Sequence, residues 1–353
     1  MMKIRMMTRW NAACGVSVHA ESIGRAWVEM GDEVTILAPI EHPSTIITNK
    51  DEPYVIRCYR LNSYFSKKSW WKDMPFYFDP KPFLENDYDL FVVQNLEILP
   101  MAPLLEIYPK IKEKAKTLMI VHEGGLPKDP NFYKFGWDRI VCFDERYKRF
   151  LTKAFCEEKI EIIPYPCHPV SLGNKEESRK RLRLPLDKKI IFNYGMGVYR
   201  HLHLLPKIER LSKEYSLIFL VVTDNPDWFD LWEAVSGRYR FVKPIKRALT
   251  VGELYTFLHA SDAFLIHKDS SERVVVSSTV YLCLGSGCPI LAHAVNFVET
   301  LDKEIMKYGD LTQRLIEVFE EKEVYKLTVK EALRYAQNNS DSIIANKIKE
   351  VVC

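Results

Sequence analysis

Short apolar runs alternate with helix-period segments along the first half of this chain, and the alternation restricts it to a parallel α/β architecture. Residues 2–7 have strand character, and Ser17–Met30 carries helical spacing through Val18, Ile23, Trp27 and Met30. Gly31-Asp32 ends that helix and Glu33–Leu37 (EVTIL) is the next strand. Further strands are expected near Tyr54–Tyr59, Leu90–Val93, Thr117–Val121, Arg139–Phe143 and Glu161–Ile163. Neighbouring parallel strands need crossovers of about a dozen residues or more, which these intervals supply. The reading is a doubly wound sheet.

Pro164-Tyr-Pro-Cys-His-Pro169 and the charged stretch Asn174–Arg183 interrupt the pattern, which then restarts. Strands are expected at Lys189–Tyr194, Ser216–Val222, Arg240–Val242, Ala263–Ile266 and Pro289–Leu291. Helices are expected at Leu204–Lys213, Val251–His259 and Ser277–Leu284. The expected division is an N-terminal Rossmann-like domain over 1–168, a second over 169–310, and a helical tail over 311–353 that has no strand to cover and crosses back to the first domain. A length of 353 residues suits two domains. Two such sheets facing one another leave a cleft at the carboxyl ends of their strands, where these folds bind ligands.

Composition narrows the function. A net charge of +3 is too small to indicate a nucleic-acid partner. The eight cysteines contain no C-x-x-C pair, so nothing suggests a zinc or dithiol centre, and no metal is expected. Met1–Arg5 reads as a buried strand and not as a signal peptide. No run approaches 18 uncharged apolar residues, so a cytoplasmic protein is expected. The segment Tyr64–Phe78 packs seven aromatics and three lysines, with Trp70, Trp71 and Lys72 at its centre. Such a mixture suits peripheral contact with a membrane or a hydrophobic acceptor, and suits equally an aromatic hairpin packed on its own domain.

Five short motifs occur in a suggestive order. Cys14-Gly-Val-Ser-Val-His19 leads into a helix and is followed by Gly31-Asp-Glu-Val-Thr-Ile36. Lys159-Ile-Glu-Ile-Ile-Pro164 precedes the break, and Arg179–Pro185 (RKRLRLP) follows it. Last come Leu254-Tyr255, Ser261-Asp262-Ala263, Glu272 and Ser286-Gly-Cys-Pro289. Together they resemble glycosyltransferase family 4 of the GT-B fold over nearly the whole chain. The resemblance implies transfer of a sugar from a nucleotide-sugar donor, held mainly by the C-terminal half, with retention of configuration. It implies no cofactor and no required metal; the acceptor is a glycan, glycolipid or protein. The chain departs from the family where Gly-Arg is usual, since Gly195 is followed by Met196, with Arg200 and His201 near the family's lysine position. Glu272 matches the first glutamate of the usual pair, but position 280 is Val.

Specific chemistry follows for each candidate. Val276–Thr279 opens a helix whose free N–H groups suit a diphosphate, with Ser277, Ser278 and Thr279 as donors; a plain N-cap is the competing reading. Arg200 can fork onto phosphate oxygens beyond the flexible Gly195 loop, and Lys268 is a second cation. The resemblance gives Glu272 the hydroxyls of the donor's ribose or sugar, and a carboxylate suits a diol. It places His122 beside the sugar and the reaction centre, where imidazole can bond a hydroxyl or move a proton. Gly15 lets the backbone approach donor or acceptor closely. His19, one turn on, faces the same region or packs locally. Two other readings stay open: a sugar-nucleotide epimerase of the same architecture, and a non-catalytic nucleotide-sugar-binding protein. A dehydrogenase is disfavoured because no G-x-G-x-x-G follows the first strand.

Overall fold

The computed structural model describes residues 1–43, 45–62, 75–195 and 197–352, so Trp70, Trp71, Lys72 and Met196 lie outside the described residues. The chain divides into two units, the first comprising Met1–Pro166, Glu272–Ser278 and Asp341–Cys353, the second Cys167–Ser271 and Thr279–Ser340.

The first unit holds a seven-stranded sheet of β1 (Lys3–Met7), β2 (Glu33–Pro39), β3 (Val55–Tyr59), β4 (Leu90–Gln94), β5 (Lys116–Ile120), β6 (Arg139–Cys142) and β7 (Ile160–Ile162). Its order is β3-β2-β1-β4-β5-β6-β7 and every pairing is parallel. The central strands are apolar runs because both faces are covered: all five residues of β4 are buried, and so are the last four of β1. The winding reverses between β1 and β4, where Ile4 pairs with Leu90 on one side and Val34 on the other.

The second unit repeats the plan with six parallel strands, β8 (Lys189–Tyr194), β9 (Leu217–Thr223), β10 (Val242–Lys246), β11 (Ala263–Ile266), β12 (Ile290–His293) and β13 (Met306–Tyr308). The order is β10-β9-β8-β11-β12-β13, with the reversal between β8 and β11. Its core joins Phe219, Trp232, Leu265 and Leu291 to Leu311, Leu315 and Phe319.

Two expectations shift. The strand expected at 240–242 lies at Val242–Lys246, because the helix Pro226–Arg238 runs to Arg238 and the Val242 N–H still closes a turn onto the Tyr239 carbonyl. Pro244 fits there because β10 is an edge strand. The tail is three helices, Leu311–Phe319, Glu323–Asn338 and Asp341–Glu350. The first does cover strands, since its buried face joins the second unit's core. The third belongs to the first unit, where the Trp27 indole N–H donates to the Ala345 carbonyl at 2.8 Å and Lys349 pairs with Asp32 at 2.5 Å. No helix among the described residues is long and apolar enough to cross a membrane.

Candidate functional site

Open α/β sheets bind ligands outside the strand carboxyl ends, where the winding reverses. In the first unit that place is occupied by the connection Thr8–Cys14 and by the residues after β4 and β5. A buried polar network shapes the connection. The Ser17 hydroxyl accepts the Ala12 N–H and donates to Glu21, which also accepts the Asn11 N–H and pairs with Arg25. Asn11 itself sits at φ 53°, a conformation that asparagine tolerates better than most residues. The helix Gly15–Glu29 therefore starts at a fixed point, with Gly15 against Ser278: a Cβ at Gly15 would lie 3.2 Å from the Ser278 hydroxyl oxygen. The Tyr165 hydroxyl donates to the Gly15 carbonyl at 2.7 Å and is within hydrogen-bonding reach of the Ser278 side chain.

Gln94, the last residue of β4, joins two histidines. Its Oε1 lies 2.9 Å from His19 Nδ1 and 3.0 Å from His122 Nε2, while its amide N–H points to Met6 Sδ. An amide oxygen only accepts, so both of those ring nitrogens carry protons. Burial holds the His19 pKa down to about 3 against the help of Gln94, and burial together with the neighbouring His19 holds His122 well below the usual histidine range. Both rings are neutral at pH 7, leaving His122 Nδ1 as an acceptor. His19 is almost wholly enclosed, in ring contact with His122, Phe143 and Tyr165, whereas His122 is half-buried.

The sequence reading passed over two carboxylates here. Glu97 and Glu123 are both buried, and Glu123 accepts the backbone N–H groups of Glu97 and His122. Burial, with Glu97 adding to it, raises the Glu123 pKa to about 7. The available signal was an acid next to a strand-end histidine and ahead of two glycines. Gly124 packs against the Glu272–Ser278 segment: its carbonyl accepts the Val274 N–H at 3.0 Å, and Arg146 donates to the Val275 carbonyl at 3.3 Å. Within that segment Glu272 is exposed and Ser277 is fully buried.

In the second unit the reversal places the end of β8 beside the end of β11. Gly195 has φ 114°, and a Cβ there would meet nothing within 4 Å, so it is an open left-handed turn that glycine suits. The tight turns of Val198–Leu204 are pinned from beneath by His201, whose Nδ1 donates to the Val198 carbonyl and whose Nε2 accepts the His267 N–H and an Asn193 amide hydrogen. His201 is 2% exposed, and burial pushes its pKa down to about 3. It is a structural acceptor, which leaves the cationic role to its neighbour. Arg200 is partly exposed and pairs with Asp269 at 2.7 Å. Lys268 lies with its ammonium 4.4 Å from the centre of the Phe297 ring, and burial, then Arg200, pull its pKa down to about 8. Arg200 thus stands close enough to Lys268 for the two charges to influence one another.

Thr279 lies in the short helix Ser278–Cys283, and Val280, where the sequence resemblance expected a second glutamate, is fully buried. The candidates consequently divide: Gly15, His122, Glu272, Ser277 and Ser278 fall in the first unit, and Gly195, Arg200, Lys268 and Thr279 in the second. Among the described residues no group of three or more His, Cys, Asp or Glu side chains is arranged to hold a metal ion.

No protein-family model matches the sequence. Solved structures do match, along their full length. A glycosyltransferase from Rickettsia africae ESF-5 superposes with a TM-score of 0.69 at 16% identity, covering 100% of this chain and 98% of that one. HepE from Anabaena, in complex with UDP and glucose, gives 0.67 at 12% identity with 99% of each chain covered. The pneumococcal O-GlcNAc transferase GtfA, in complex with UDP and GlcNAc, gives 0.66 at 12% identity, covering 99% and 98%. The chain has the GT-B fold. At these identities the likeness is one of fold.

Proposed function

We propose that this protein transfers a sugar from a nucleotide-sugar donor to an acceptor hydroxyl. The observation that carries the reading is the convergence of Arg200 and Lys268 at the β8/β11 reversal of a GT-B fold. A buried ammonium beside a second cation marks a place where a diphosphate is welcome, because a bound anion offsets both the burial and the Arg200 charge that lower the Lys268 pKa. In this reading Arg200 exchanges Asp269 for phosphate oxygens and stabilises the leaving diphosphate. In the same reading the open Gly195 turn and Thr279 serve the phosphates. The sequence resemblance assigns ribose or sugar hydroxyls to Glu272, and neutral His122 offers its Nδ1 to a hydroxyl.

Membership of glycosyltransferase family 4, retention of configuration and independence of a metal belong to the same proposal. They rest on the ordered motifs. Uridine diphosphate sugars are the first donors to test, since the HepE and GtfA structures hold UDP. The second reading, a nucleotide-sugar binder without transfer, draws on Val280, whose buried side chain removes one carboxylate from the expected pair.

The test is a thermal-shift screen with uridine, guanosine, adenosine and thymidine diphosphates and their sugars. Stabilisation by one base, lost in Arg200→Ala and Glu272→Ala, is the expected result. No shift with any of them overturns the reading. Release of the nucleotide from the matching sugar donor separates a transferase from a binder.

A further inference from the structure

Glu123 has no part in the chemistry assigned above, yet it is 3% exposed and each of its oxygens takes a backbone N–H. Oε1 accepts from Glu97 at 2.9 Å and Oε2 from His122 at 3.0 Å. Those amides lie in different connections. Glu97 is in the turn Leu96–Ile98, just beyond Gln94, and His122 is the second residue after β5. Gln94 in turn holds the His122 ring. Backbone and imidazole of His122 are therefore held to the same connection by separate bonds. One residue further on, Gly124 meets Val274 so closely that a Cβ there would stand 2.4 Å from the Val274 carbonyl oxygen.

We propose that Glu123 is a positioning residue for sugar transfer: as a carboxylate it clamps the His122 and Glu97 amides, fixing the His122 imidazole and the seat of the segment that carries Glu272. The catalytic consequence rests on the transferase reading; the clamp rests on geometry alone. Two converging N–H groups need two acceptor oxygens. A protonated carboxyl or a carboxamide turns a donor toward one of them and leaves it unmatched in a buried place. Glu97 neighbours Glu123, and Arg273 stands 3.9 Å from Glu97. His122 is neutral and His19 lies behind it. With the Glu123 pKa at about 7, the clamp closes as pH rises through neutrality, and the transfer rate rises with it.

The experiment compares full-length wild type and Glu123→Gln by residue-resolved amide hydrogen exchange, UDP binding, and release of UDP from UDP-glucose and UDP-GlcNAc between pH 5.5 and 8.5. The variant is expected to exchange the 97 and 122 amides about tenfold faster, with the 193 and 267 amides of the second unit unchanged. Its kcat should fall about tenfold or more with the UDP affinity within about twofold, and the rise of rate near pH 7 should flatten. Unchanged protection of either amide overturns the clamp, and faster exchange with wild-type kcat overturns the positioning role. Faster exchange in a protein whose wild type neither binds UDP nor cleaves either donor leaves the clamp standing and removes the transferase reading for these donors. If Glu123→Gln does not fold, the wild type decides: after correction for base catalysis, protection of the 97 and 122 amides must rise through pH 7 relative to 193 and 267, and a flat ratio overturns the proposal.

Discussion

His201 Nε2 accepts the backbone N–H of His267 at 2.9 Å, tying the turns after β8 to the end of β11. The same nitrogen takes an Asn193 amide hydrogen, so one buried imidazole satisfies donors from both strands at the reversal. Arg200 is thereby held near Lys268 by a buried neighbour. His201→Phe preserves ring volume but leaves two buried donors unmatched. Each unmatched donor costs about 1–3 kcal/mol, so a loss of roughly 2–4 kcal/mol in urea unfolding is expected, together with weaker UDP binding. A variant within about 0.5 kcal/mol of wild type would show that these bonds do not carry the turn.

Arg200 and Lys268 predict a pH dependence of binding. The Lys268 ammonium is charged below its pKa of about 8 and loses its proton above it, so UDP affinity should hold steady toward neutral pH and decline as pH rises through 8. Arg200 is one cause of that low value, and removing it has a second effect besides weaker binding. In Arg200→Met the midpoint of the decline should move to higher pH, because a like charge has gone. Lys268→Met should abolish the decline. Isothermal titration between pH 6.5 and 9.5 reads both, and a midpoint unmoved by Arg200→Met would separate the two cations.

Two adjacent glycines provide a controlled comparison. A Cβ at Gly124 meets the Val274 carbonyl and the Arg273 Cβ at 2.4 and 2.6 Å, whereas a Cβ at Gly125 meets nothing within 4 Å. The first obstacle is largely backbone, which cannot rotate aside. Gly124→Ala should cost about 1–3 kcal/mol or free the 272–278 segment, seen as faster amide exchange there. Gly125→Ala should be close to neutral. Equal effects would mean that the close contact at Val274 is dispensable.

Much of this architecture was legible in the chain because buried parallel strands must be continuous apolar runs, and KIIFNY or LIFLVVT can be little else. The helix Met101–Lys114 was not, since Pro103 and Pro109 argue against a helix that burial of Leu104, Tyr108 and Ile111 nonetheless stabilises. The strand β13, three residues at a sheet edge, is too short to show a period. At the candidate site, the position of Gly195 was readable because it follows β8 directly, and that of Arg200 because it lies in the turns just beyond. Glu97 and Glu123 were not. Their significance comes from two backbone amides that converge only after β4 and β5 pair, and no local pattern reports that convergence. His19 and His201 show the reverse limit, since a histidine serving a ligand and one serving the backbone look alike until burial is known.

The buried histidines predict how the protein fails in acid. His19 and His201 have folded-state pKa values of about 3, and His267 one of about 4, pushed down first by burial and for His267 also by His293 and His203. In the unfolded chain each titrates near 6.5. A group whose folded pKa is depressed below its unfolded value binds more protons when unfolded, so its stabilising effect is present above pH 6.5 and is lost as pH falls. Each such histidine contributes a slope of up to about 1.4 kcal/mol per pH unit. Glu123 acts in the opposite sense, because its pKa of about 7 lies above the unfolded value and its contribution is lost as pH rises toward and past 7. Three histidines outweigh one glutamate, and the net expectation is a urea midpoint that falls steeply between pH 6.5 and 4.5. Among these titrations Glu123→Gln removes the opposing one, so the acid limb should become steeper whatever the variant's overall stability. A midpoint that stays level from pH 6.5 to 4.5 in the wild type would mean that these imidazoles accept protons in the folded protein, which the burial of His19 and the acceptor role of His201 Nε2 oppose.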